Sequence, residues 1–133
     1  MNEQNLNWYV SISETHPVVD GELENGDLFE VIGFIEGTEL KKLLTKNVHY
    51  SVFLTLRGFP KNYSEEEMKQ NIFSDLKGFL DSSCEFCLMI VDAGYFYVVM
   101  KDSSLVQEAL EHFNTLEVEN IKLVASMETW YIE

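Results

Sequence analysis

Basic residues are scarce in this chain of 133 residues: nine Lys and Arg stand against 23 Asp and Glu, for a formal charge of −14. Phosphate backbones and anionic bilayers are bound through basic groups, so nucleic acid and membrane are excluded as expected partners. Long apolar runs are missing too. No stretch approaches the roughly 18 to 20 residues that cross a bilayer, and the opening MNEQNLNW has neither a basic nor an apolar leader segment, so a cytoplasmic protein is expected. Two prolines and seven glycines exclude collagen-like and proline-rich disordered classes. The chain also lacks a Gly-x-Ser-x-Gly elbow, a glycine-rich phosphate loop, a His-Glu-x-x-His pair and the zinc-deaminase signature, which lowers the expectation of an enzyme without closing it.

What is present is the hydrophobic content of one globular domain, 46% of residues, spread over 1–133 without a compositional break or repeat. Trp8, Val10 and Ile12 alternate along a first strand, Asn7 to Ser13, with Trp8 facing the core. Glu14 to Asp27 carries His16-Pro17, Asp20-Gly21 and Asn25-Gly26 and is expected to be a long loop. Leu28 to Ile35 is a second strand in which Gly33 marks a bulge or a close approach. Thr38 caps a short helix bearing Leu40, Leu43 and Leu44, and Val48 to Leu56 is a third strand. Ser64 and Glu67 form a capping box for one helix whose stripe is Met68, Ile72, Leu76, Phe79 and Leu80.

Cys84 to Val91 and Tyr95 to Lys101 then form a hairpin around Asp92-Ala93-Gly94, the glycine taking the positive φ, and both arms are apolar enough for central strands. Ser103 or Ser104 caps a last helix bearing Leu105, Val106, Ala109, Leu110 and Phe113. Asn120 to Ala125 and Thr129 to Ile132 are further strands. The expected fold is a single α+β domain, a mostly antiparallel sheet of about six strands with about three helices on one face, in the order β-β-α-β-α-β-β-α-β-β.

The charge is unevenly placed. Glu3, Glu14, Asp20, Glu22, Glu24, Asp27, Glu30, Glu36 and Glu39 occupy the first 40 residues, which contain no Lys or Arg, so this stretch alone carries −9. Such a field steers a basic surface toward it. The leading expectation is therefore a protein-binding module, of inhibitor or immunity type, for a basic partner. Its contact residues are Glu14, His16, Asp20, Glu22, Glu24 and Asp27, with Tyr9 and Trp130 as aromatic anchors. One rival is a small-molecule binder or enzyme with a pocket between sheet and helices using Arg57, His49 or tyrosines. Another is a homodimer joined through a bare sheet face.

No cofactor or metal is expected. Cys84 and Cys87 form a C-x-x-C pair, but on a strand their thiols diverge and no matching ligands follow, so they are read as buried, inert thiols. The acids from Asp20 to Asn25 resemble the start of a calcium loop but lack its glycine at the sixth position and its glutamate at the twelfth. Arg57, the sole arginine, is expected to pair with one of the many acids.

Asn7-Trp8-Tyr9, Phe53-Leu54, the run Phe79-Leu80-Asp81-Ser82-Ser83-Cys84, Ile90-Val91-Asp92 and Lys101-Asp102 together resemble an uncharacterised domain-of-unknown-function family of small cytoplasmic proteins from bacilli. The resemblance implies a bacterial cytosolic origin; it brings no substrate or catalytic residue.

Overall fold

Strand β1 runs Leu6–Val19, well past the expected end at Ser13, because the polar residues that follow are strand and hairpin rather than loop. In the computed structural model, which describes residues 5–29, 32–46, 48–71, 73 and 76–115, Asp20 and Gly21 take φ of 54° and 79° and close a two-residue hairpin onto β2, Glu22–Leu23. Asp-Gly is the pair that this tight turn favours. The return segment is tied down by Asp27, whose carboxylate accepts hydrogen bonds from the Thr15 amide at 3.0 Å, the Ser13 hydroxyl at 2.7 Å and the Phe29 amide at 2.8 Å. Leu28 and Phe29 are thereby delivered to the core outside any strand.

Of the expected second strand, Leu28 and Phe29 lie outside any strand, residues 30 and 31 lie outside the described residues, and β3 is Gly33–Glu36, antiparallel to β1. Gly33 has φ of 127°, and a Cβ there would meet Glu65 Oε1 at 2.8 Å, which accounts for glycine at this position. Helix α1 begins at the glycine before Thr38 and spans Gly37–Lys46; β4 spans His49–Pro60.

The single helix expected after Ser64 is two. The capping box is made, with the Glu67 amide 3.2 Å from Ser64 Oγ and the Ser64 amide 3.1 Å from Glu67 Oε1, but α2 stops after Glu65–Gln70. Asn71 ends it: its side-chain amide donates to the Glu67 carbonyl at 2.7 Å, and its oxygen accepts from the Ser83 amide at 3.1 Å. Phe73 can then drop into the core before α3, Leu76–Asp81, resumes, and Leu80 ends exposed.

Strands β5 (Phe86–Val91) and β6 (Tyr95–Met100) form the expected hairpin, but Asp92 and Ala93 carry the positive φ, 51° and 56°, not Gly94. Helix α4, Ser103–Asn114, is opened by Asp102 rather than a serine: its carboxylate accepts from the Ser104 hydroxyl at 2.6 Å and amide at 2.9 Å, which lowers its pKa. The strands expected at 120–125 and 129–132 lie outside the described residues.

The six strands form one antiparallel sheet in the order β2-β1-β4-β5-β6, with β3 also on β1, so the domain is α+β as expected. Among the described residues β6 is terminal rather than central. Leu54 to Phe59 are buried without interruption, the mark of a strand covered on both sides. The helices accordingly divide between two faces instead of sharing one. Trp8, Val10, Leu54 and Leu56 pack with Leu40 of α1, whereas Phe59, Cys87 and Met89 pack under Met68 of α2 and Phe79 of α3.

Candidate partner-binding surface

Helices α2 and α3 cover only half of their face of the sheet. Along that face Arg57 pairs with Cys87 and Thr55 with Met89, and Met89 pairs in turn with Tyr97, Val91 with Tyr95. Strand alternation places Phe53 beside Thr55 on the same side, just beyond the covered half. The result is an aromatic patch at the open end: Tyr95 is 68% exposed, Tyr97 41% and Phe53 38%. The Ala93 amide donates to the Val52 carbonyl at 2.9 Å and holds the β5–β6 turn against β4 there. Tyr50, also exposed, adjoins it farther along β4.

The acidic hairpin borders this patch. Glu14 pairs directly with Phe53 and His16 with Tyr50, and Glu14, Asp20, Glu22, Glu24 and Asp92 are exposed. The six strands contain no lysine, and their one arginine is buried, so no cation stands among these acids on the sheet. The lysines of the described residues sit instead on the helices and at the ends of β4 and β6.

The individual residues expected to make contacts fare differently. Glu14, Asp20, Glu22 and Glu24 are solvent-facing, and His16 is half-buried with Nδ1 3.2 Å from the Glu24 carbonyl. Asp27 is half-buried and engaged with its own loop. Tyr9 packs against the Phe59 core at the far end of β1, away from the hairpin, and Trp130 is outside the described residues. Phe53, Tyr95 and Tyr97 supply aromatic surface beside the acids instead. Their alternation and the Asp20-Gly21 turn were visible in sequence; that β4 and β6 leave them uncovered was not.

Two other regions bear on chemistry. Arg57 lies in the Phe59 core, with Nη1 donating to Ser11 Oγ at 2.8 Å and its plane 5.2 Å from the Phe73 ring centroid. No carboxylate of the described residues pairs with it, contrary to expectation. Desolvation lowers its pKa, opposed by nearby Cys87, Cys84 and Tyr9. The two thiols do not diverge: Cys84 precedes β5, so strand alternation does not separate it from Cys87, and both enter one cluster. Both are fully buried, and burial pushes Cys84 up to about 11 and Cys87 up to about 12. On the other face, β5, β6 and α4 line an open groove of about 470 Å³ whose lining is apolar apart from Glu108 and His112. His49 and Arg57 are not among its lining residues.

The fold and surface define a small α+β domain whose two-sided sheet ends in an acidic, aromatic face. The chain belongs to the family described as protein of unknown function (DUF2691), whose model matches residues 1–130. It is 31% identical over 113 residues to the uncharacterized protein YncE of Bacillus subtilis (strain 168), an alignment covering 85% of this chain and 69% of that protein. The likeness to an uncharacterised bacillar family is thus borne out. No solved structure matches the chain.

Proposed function

We propose that the protein is a binding module for a basic protein surface. The observation that carries this reading is the pairing of Glu14 with Phe53 at the edge of an exposed aromatic patch, on strands that, among the described residues, carry no lysine or exposed arginine. Aromatic side chains bring contact area at low entropic cost, and the surrounding acids speed encounter with a cationic partner. Together they fit an inhibitor-like or immunity-like role, in which the patch seats on a basic site and the hairpin acids line its rim.

The test is affinity capture from native lysate of the source organism at low and high salt, using the full chain and two variants. One is Phe53→Ser with Tyr97→Ser; the other is Glu14→Gln with Glu22→Gln and Glu24→Gln. A basic protein retained by the parent, released by salt and lost from both variants is the expected result. Capture that both variants leave intact would sink the proposal. So would a salt-insensitive homodimer, seen by sedimentation, that the Tyr97 substitution dissolves.

The groove between α4 and the β5–β6 hairpin favours a second reading, a small-molecule binder for an apolar body with Glu108 and His112 at its polar side. Ala109→Trp, which fills that space, would abolish such binding and leave partner capture untouched.

A further inference from the structure

Arg57 poses a problem that the partner-binding reading does not solve. It is the sole arginine of a chain with 23 acids, sits in the second half of the central strand and is 6% exposed. Buried charges in native proteins are paired, because removing an ion from water costs several kcal/mol unless a counter-charge and hydrogen bonds replace the lost hydration. Here the replacement is incomplete. Nη1 has the Ser11 hydroxyl, and the Phe73 ring lies against the guanidinium, but Nε is buried with no hydrogen-bond partner.

The surroundings are built rather than incidental. The register of β1 on β4 shifts between Val10 and Ile12, so Ser11 is the extra residue of a β-bulge. Bulges re-aim side chains, and this one turns Ser11 toward Arg57. Ser11 is half-buried, as is Tyr9 two residues before it, so the guanidinium lies just beneath a solvent-reached edge. Because the Ser11 oxygen accepts from Arg57, its own hydrogen is left to donate. A guanidinium N–H without a hydrogen-bond partner, a hydroxyl donor and aromatic walls thus converge where none of the described residues supplies an anion.

We propose that Arg57 and Ser11 form a binding site for a small monocarboxylate with an apolar body. A planar carboxylate matches the guanidinium fork, and the Phe73 and Tyr9 rings suit carbon rather than further charge. The net charge of −14 disfavours a dianion such as phosphate at the same position. The carboxylate accepts from Arg57 through one edge and from the Ser11 hydroxyl at its side. Bound ligand then supplies the counter-charge that the described residues do not. This site is on a different part of the sheet face from the acidic rim and does not depend on the partner-binding proposal.

The experiment follows the Arg57 Nε–H resonance of the full chain by nitrogen-15 NMR during titration with butyrate, at constant ionic strength. Butyramide, chloride and inorganic phosphate are titrated in parallel. The expected result is a saturable shift with butyrate, none with butyramide or chloride, and weaker binding of phosphate. A saturable rise in thermal midpoint should accompany it and vanish in Arg57→Met. Ser11→Ala, which leaves the guanidinium in place, should bind butyrate about tenfold more weakly, as expected for loss of one hydrogen bond to a charged group. Absence of saturation, an equal response to butyramide, tighter binding of phosphate, or stabilisation that persists in Arg57→Met would overturn the proposal.

Discussion

The two faces of β4 solve the same packing problem with different materials. On one, Trp8, Val10, Leu54, Leu56 and Leu40 make an apolar core in which Trp8 meets Phe86 edge-on with ring centroids 5.5 Å apart. On the other, Phe59, Phe79 and Met89 share the interior with a guanidinium and two thiols. The first core is built of apolar side chains, with Leu28 and Phe29 delivered to it by the Asp27 hydrogen bonds; the second contains a charge whose desolvation opposes folding. The contrast teaches that the Trp8 face is a core of ordinary apolar packing, while the Phe59 face retains groups whose presence packing does not require.

The comparison breaks most severely at Trp8. Trp8→Ala should cost about 3 to 5 kcal/mol in chemical denaturation, a large share of the stability of a domain this size. Gly58 sharpens the same point, since a Cβ there would stand 2.9 Å from Leu6 Cδ1 and 3.0 Å from the Trp8 ring. Gly58→Ala should therefore lose about 1 to 3 kcal/mol by overpacking.

On the opposite face the thiols give a pH signature. Their pKa values in the folded protein, about 11 and about 12, lie above the ordinary 9.0, so the unfolded chain releases these protons first. The stabilisation is complete below pH 9 and is lost as pH rises toward 11 to 12, by on the order of 1 kcal/mol per pH unit for each thiol. Denaturation midpoints of the parent and of a Cys84→Ala, Cys87→Ala variant, measured across that window, should converge as the pH increases.

Arg57→Met, in the absence of ligand, should leave stability unchanged or raise it by about 1 kcal/mol or more, because an apolar residue of similar length removes an unpaired charge. A loss comparable to that of Trp8→Ala would erase the distinction between the faces. The smallest effect lies outside both cores: Ala93→Gly should gain about 0.5 to 1 kcal/mol by relieving a positive φ in a side-chain-bearing residue.

Local rules made much of this architecture legible. Alternation at Trp8 and Val10 located β1, though the bulge at Ser11 turns Ile12 to the other face, and Ser64 with Glu67 located the start of α2, because capping and pleat are settled by neighbours in sequence. The same rules failed where a distant group decided. Asn71 ends α2 partly by reaching the Ser83 amide, and Cys84 joins Cys87 because it precedes the strand rather than belonging to it. The acidic hairpin was legible as charge and its turn as Asp-Gly, but of the two aromatics expected beside it Tyr9 packs against the Phe59 core and Trp130 lies outside the described residues. Exposure of Phe53, Tyr95 and Tyr97 depends on which half of the sheet α2 and α3 cover.

From sequence alone come the acidity of the first 40 residues, their lack of lysine and arginine, and the apolar periodicities that require a layered α+β core. These are properties of composition and of neighbours along the chain. The tertiary structure decided that helices take both faces, that Arg57 is buried with no carboxylate of the described residues paired to it, and that aromatics stand uncovered beside Glu14. Each depends on residues far apart in sequence, and the free energy of burying or leaving a group is set by whichever surfaces the completed sheet brings against it.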